Sequence, residues 1–222
     1  MTTFSRAFLL AHHIFPKGGT CLEFGVFEGN TFCWQAQQML STYRRSTLIG
    51  FDSWRGLPAE ASGVWTPQRH AEGQFTASRG AVEKQLAKIG AAGDRFRLVD
   101  GFFRDSLTPT LQADIHDLIF VNIDVDLCSS SLELLGFIRP LLRPGVVLYW
   151  DDWKDPNDEN PEPWGEHRAW AEWYPARAAL KVETLEVNPV NQRSMLVVEA
   201  DGKALSHAEV AVIRYKLLNM AG

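Results

Sequence analysis

Thr20-Cys21-Leu22-Glu23-Phe24-Gly25-Val26-Phe27-Glu28-Gly29-Asn30-Thr31 is the stretch that decides the fold. It begins as a short apolar run, passes two glycines four residues apart, and enters a helical pattern at Asn30. A strand that breaks on a glycine turn and runs straight into a helix opens a βα unit. Gly25 and Gly29 allow the backbone to turn sharply and to approach a ligand beside a helix N-terminus. The turn alone names no ligand, because glycines mark any tight strand-to-helix connection. Its spacing departs from G-x-G-x-x-G, which disfavours a dinucleotide bound through its pyrophosphate.

The same alternation continues outward. Apolar runs at Thr20–Phe24, Thr47–Phe51, Arg95–Val99, Leu118–Ile123 and Val146–Trp150 read as buried parallel strands. Helices are expected at Asn30–Thr42, Arg79–Ile89 and Ser130–Leu142, the second capped by Ser78. Beyond residue 160 a helix over Glu166–Ala178 precedes strands Lys181–Val187 and Ser194–Glu199, whose hairpin-like connection places an antiparallel strand at the end of the sheet. A final helix spans Ser206–Asn219. The expected fold is α/β: a Rossmann-like sheet, mostly parallel, with helices on both faces. We expect one domain over residues 1–222, a helix within residues 1–18, and lid-like loops at 53–77 and 154–165, where Gly, Pro and Trp collect.

Composition narrows the function. The 222 residues carry a net charge of -5, with lysine and arginine scattered, which argues against nucleic acid as partner. The apolar patch from Ala7 to Phe15 is too short to span a bilayer and lacks a cleavage pattern, so no membrane is expected. Cys21, Cys33 and Cys128 form no metal knot and suit a reducing, cytoplasmic setting. A homo-oligomer is compatible with all of this.

Charged residues at strand ends suggest the ligand. Glu23, in the first strand, suits a cationic group such as the methionine ammonium of S-adenosylmethionine. Asp52 ends the second strand and is placed to accept from two ribose hydroxyls, with Ser53 beside it; a helix-capping role for Asp52 is the alternative. Asp100, Gly101 and Phe102 follow the third strand, where such sheets meet an adenine ring.

Carboxylates are densest after the next two strands. Asp124 and Asp126 stand two apart in extended chain and project to one side, and Asp151 and Asp152 follow the adjacent strand. Four acids at neighbouring carboxyl ends repel unless protons or a cation compensate, and a hard ion, Mg²⁺ first, fits oxygen ligands. The alternative is neutralisation by Lys154, Arg104 or Arg168.

Taken together, LEFGVFEGNT, IGFDSWRGLP, DGFFRDSL, VNIDVDLCSSS, PGVVLYWDDW and WGEHRAW resemble the macrocin-type, metal-dependent O-methyltransferases, which methylate sugar hydroxyls of natural products. The resemblance runs from residue 22 to about 170 in the family's order. It implies a class I methyltransferase sheet of seven strands with one antiparallel, and Glu23, Gly25 and Asp52 at S-adenosylmethionine. It further implies Asp124, Asp151 and Asp152 as Mg²⁺ ligands and Asp126 as general base. The chain departs from the family in carrying Cys128 where a tyrosine is usual, and in a short region before the first strand.

The chemistry these groups suit is methyl transfer to a hydroxyl of a small-molecule acceptor, the hydroxyl being acidified by the ion and deprotonated by a carboxylate. His70 and His167 are further candidate bases, and Trp153 and Trp164 candidate stacking groups for an acceptor ring. Two competing readings are a two-metal phosphoester hydrolase and a methyltransferase-like fold that binds without turnover.

Overall fold

The apolar runs all become strands of one sheet. The computed structural model describes residues 1–91, 93–153 and 163–220. In chain order its elements are α1 (Thr3–Ile14), β1 (Thr20–Phe24), α2 (Asn30–Ser41), β2 (Thr47–Asp52), α3 (Arg79–Lys88) and β3 (Phe96–Asp100). Then come α4 (Phe103–Ser106), α5 (Pro109–Ala113), β4 (Leu118–Ile123), α6 (Cys128–Ile138), β5 (Val147–Trp150) and α7 (Gly165–Trp173). The chain closes with β6 (Leu180–Val187), β7 (Arg193–Ala200), β8 (Lys203–Ala204) and α8 (His207–Asn219).

The sheet order is β3-β2-β1-β4-β5-β7-β6, with β8 paired to β7. The first five strands are parallel, and β7 enters antiparallel to both β5 and β6. This is the expected mostly parallel α/β sheet, extended by the two-residue β8. Every residue of β1, β4 and β5 is buried, because helices cover both faces. Side chains alternate between two cores. Val147 and Tyr149 face α1, α2, α3 and α8, whereas Leu148 and Trp150 face α6 and α7. At the β6 edge, Lys181, Glu183 and Glu186 blunt the row of unpaired backbone groups.

Helix boundaries follow caps and prolines. Ser78 accepts from the Ala81 N–H at the start of α3, and Ser206 with Glu209 forms a capping box on α8. The helix expected over Ser130–Leu142 begins earlier, at Cys128, and gives way to a 3₁₀ turn at Arg139, where Pro140 lacks the N–H to continue it. Likewise α7 passes into a 3₁₀ turn at Tyr174, ahead of Pro175. The short helices α4 and α5 lack a long apolar period and were not anticipated. The expected loop at 53–77 is irregular apart from one 3₁₀ turn, Gln68–His70. Most of the loop expected at 154–165 lies outside the described residues. No helix among those described is long and apolar enough to cross a membrane.

Strand order reverses between β1 and β4, so the chain leaves the sheet in opposite directions from these two neighbours. Crevices in open α/β sheets form at the carboxyl ends of such a pair. Gly25 and Asp124 sit at those two ends.

Candidate functional site

A cavity of about 520 Å³ opens at this switch point. It is lined by Gly25, Asp52, Ser53, Gly101 and Phe102 and by all four predicted aspartates, Asp124, Asp126, Asp151 and Asp152. The loop after β2 contributes Leu57, Pro58, His70 and Phe75 to its wall.

Gly25 has φ +85°, and a Cβ there would fall 1.7 Å from the Asp124 carbonyl oxygen. Only glycine permits this approach of the β1 turn to the β4 tip. Asp52 is held by two backbone donors: the Phe27 N–H donates to Oδ2 at 2.7 Å and the Trp54 N–H to Oδ1 at 2.6 Å. Burial raises its pKa, and these N–H groups oppose the rise. The carboxylate therefore fastens the glycine turn to β2 while facing the cavity.

Three predicted residues do not line the cavity. Glu23 is fully buried behind it, accepting from the Thr31 hydroxyl at 2.7 Å and from the Gln35 amide. Burial pushes its pKa up to about 8 against these hydrogen bonds, and the observed contacts tie the first turns of α2 to β1. Gly29, at φ +82°, lets α2 pack on α3, since a Cβ there would meet Val82 at 2.7 Å. Asp100 points to the surface, 3.8 Å from both Arg55 and Arg79.

One carboxylate oxygen from each of Asp124, Asp151 and Asp152 lies within 4.8 Å of the others. Burial, followed by mutual repulsion, drives the pKa of Asp124 well above the carboxylate range. Asp152 is pushed up to about 9 by burial, then by Asp126 and Asp151, with Arg69 a lesser influence in the other direction. Asp151 is also raised by burial, though it accepts from the Tyr149 hydroxyl at 3.0 Å and the Gln192 amide at 2.6 Å. Among the described residues no lysine or arginine forms an ion pair with these three acids. Arg104 pairs with Asp105 and Arg168 with Glu172, so neither neutralises the cluster, and Lys154 lies outside the described residues. Carboxylates crowded this closely in a half-buried site are the donor set a hard divalent cation requires, so the residues present fit such an ion.

Asp126 adjoins the trio through Asp152 and differs from it in its backbone and in its partner. Its φ is +62°, a left-handed conformation that non-glycine residues seldom hold, and its carboxylate meets His70 Nε2 at 3.0 Å. His70 is buried and stacks on Trp164, with ring centroids 5.1 Å apart. Its Nδ1 has no partner among the described residues.

Several participants were not singled out as site residues from the sequence. Glu60 accepts from the Cys128 and Ser129 N–H groups at 2.7 and 3.2 Å, pinning the 53–77 loop to the N-terminus of α6. Glu166 is fully buried beside the aspartates and bonded to two strand-end segments. Gln192 reads as an ordinary hairpin residue until its contact with Asp151 is seen. The stacking role expected of Trp153 and Trp164 is not what the structure provides. Trp153 packs between Trp150, Trp170 and His167, and Trp164 lies against His70 and Trp65. Both are nearly inaccessible and absent from the cavity wall. His167, stacked on Trp153, is also away from it.

Comparison with solved structures agrees with this fold. CalS11, a calicheamicin methyltransferase, superposes with a TM-score of 0.70 at 21% identity, covering 87% of this chain and 77% of that one. The O-methyltransferase NovP gives 0.69 at 18% identity, covering 87% and 78%. TomG from Streptomyces achromogenes, an O-methyltransferase involved in tomaymycin synthesis, gives 0.54 at 18% identity, covering 89% and 81%. No curated protein matches the sequence. The family model described as a methyltransferase domain matches residues 22–153, from β1 through the Asp151-Asp152 pair, and so takes in every cavity-lining residue named above. The chain belongs to that methyltransferase family.

Proposed function

We propose that this protein transfers the methyl group of S-adenosylmethionine to a hydroxyl of a small molecule, with Mg²⁺ held by Asp124, Asp151 and Asp152, in the manner of the macrocin-type sugar O-methyltransferases. One observation carries the reading. The Gly25 turn, Asp52 and Gly101-Phe102, which suit a nucleoside, share a single cavity with the acid trio and the Asp126–His70 pair. The activities of the structural neighbours support the same reading. CalS11 is described as a TDP-rhamnose 3'-O-methyltransferase, and TomG was solved with S-adenosylmethionine.

In this reading Asp52 accepts from the Phe27 and Trp54 N–H groups, one on each oxygen, and turns its remaining lone pairs to ribose hydroxyls. Gly25 brings backbone close to the cofactor, and Phe102 bounds the adenine end. Bound Mg²⁺ would acidify the acceptor hydroxyl by withdrawing charge from its oxygen. Asp126 takes the hydroxyl proton. His70 donates from Nε2 to the Asp126 carboxylate, a tautomer that leaves Nδ1 bare, in keeping with its having no partner among the described residues. The hydroxyl oxygen then bonds to the methyl carbon as the carbon–sulfur bond breaks, leaving S-adenosylhomocysteine. A sulfonium methyl is already activated, so the protein's main task is alignment. A phosphoester hydrolase would leave the cavity-facing side of Asp52 and of the glycine turn without a ligand to bind.

Calorimetric titration with S-adenosylmethionine, followed by labelled methyl transfer to a panel of polyols and catechols, tests the proposal. Absence of cofactor binding sinks it, and full turnover in excess chelator removes the metal. Binding without turnover on any acceptor would favour a binding protein on this fold.

A further inference from the structure

Among the described residues Glu166 is a fifth acid beside the four aspartates, fully buried, and it has no place in the chemistry above. Its Oε1 accepts from the Val125 N–H at 3.0 Å and its Oε2 from the Asp152 N–H at 3.1 Å. Val125 lies between Asp124 and Asp126 beyond β4, and Asp152 follows Asp151 beyond β5. One side chain from α7 thus fastens both acid-bearing segments. The first turn of α7 is pressed against the same place: Gly165 has φ +53°, and a Cβ there would fall 2.2 Å from the Asp126 carbonyl oxygen.

A fifth carboxylate among four is costly. Burial and repulsion from Asp152, Asp151 and Asp126 all oppose its charge. A glutamine would fit the volume without the charge, but its amide offers one acceptor oxygen and turns a donor toward the second N–H. Only a carboxylate accepts from both segments at once.

We infer that Glu166 is the positioning residue of the cation site, setting the spacing of the β4 and β5 tips so that Asp124, Asp151 and Asp152 share one ion. The inference rests on the Mg²⁺ reading proposed above. Residues that orient metal ligands from behind them commonly govern affinity by 10–100-fold.

Mg²⁺ titration by calorimetry on the full chain tests it, using wild type, Glu166→Gln and Glu166→Asp, with S-adenosylhomocysteine affinity as the control. Both variants should bind Mg²⁺ roughly 10–100-fold more weakly and bind S-adenosylhomocysteine as wild type does. Glu166→Asp keeps the charge but loses reach. If it holds Mg²⁺ normally, charge alone matters and the positioning role is overturned. Unchanged affinity in a folded Glu166→Gln overturns it equally. Hydrogen exchange on the wild-type protein decides the matter should either variant misfold: the Val125 and Asp152 amides should both be strongly protected without metal, and rapid exchange at either would overturn the assignment. A wild type that fails to bind Mg²⁺ refutes the metal reading itself, a separate result.

Discussion

Asp152→Asn offers the sharpest test of the acid cluster, because the expected effect on the metal-free protein is stabilisation. The substitution keeps the side-chain volume and removes one of the mutually repelling charges. In the fold, burial and then Asp126 and Asp151 raise the Asp152 pKa from 3.8 to about 9. A carboxyl group raised in this way opposes folding: the cost is absent below the unfolded pKa, grows as pH rises, and levels off above the folded value. At pH 7, with about 1.4 kcal/mol for each unit of pH above the unfolded pKa, the cost is on the order of 4 kcal/mol. We therefore expect the metal-free variant to gain roughly 2–4 kcal/mol, which for a chain of this size corresponds to about 5–15 °C in Tm. Thermal melts in chelator from pH 4 to pH 9 measure this directly. The gap between variant and wild type should open as pH rises and vanish near pH 4. Millimolar Mg²⁺ should raise the wild-type Tm at pH 7.5 and leave the variant nearly unmoved. A variant that melts below wild type at pH 8 in chelator would refute the reasoning, because it would mean that a positive group already neutralises Asp152.

Other substitutions probe separate parts of the site. Gly25→Ala forces a Cβ to within 1.7 Å of the Asp124 carbonyl oxygen at a positive φ, so urea unfolding should show a loss of about 3 kcal/mol or more. His70→Phe keeps the stack on Trp164 but deletes the N–H that meets Asp126. On an accepted substrate kcat should fall about 100-fold with the KM for S-adenosylmethionine unchanged, while His70→Gln, which retains an N–H, recovers most of the loss. Glu60→Ala releases the 53–77 loop from the N-terminus of α6. Tryptic cleavage at Arg55 or Arg69 should accelerate while the melting temperature drops by only a few degrees, the loss of about 1 kcal/mol expected of a missing cap.

Much of this is legible in the sequence. The βα alternation, the antiparallel strand near the C-terminus and the aspartates at strand ends are local features, set by side-chain period and by the chain position of each acid. The cavity gathers Gly25, Asp52, Gly101, Phe102 and the four aspartates because parallel strands place their carboxyl ends on one side of a sheet. Glu23 and Asp100 were harder to assign. A strand residue has two faces to choose from, and which one a helix covers depends on packing: α2 claims Glu23 through Thr31 and Gln35, while Arg55 and Arg79 draw Asp100 outward.

The sequence by itself determined the strands, their alternation with helices and the placement of four acids just beyond the fourth and fifth strands, because those follow from hydrophobic period and chain position. The strand order and its switch point belong to the folded sheet. Tertiary structure alone decided that His70 reaches Asp126, that Glu60 anchors its loop to α6, and that Glu166 ties together segments 41 and 14 residues away from it. These contacts join groups distant along the chain through irregular backbone and helix starts, where no period fixes the direction of a side chain. Only the packed chain brings them within hydrogen-bonding distance.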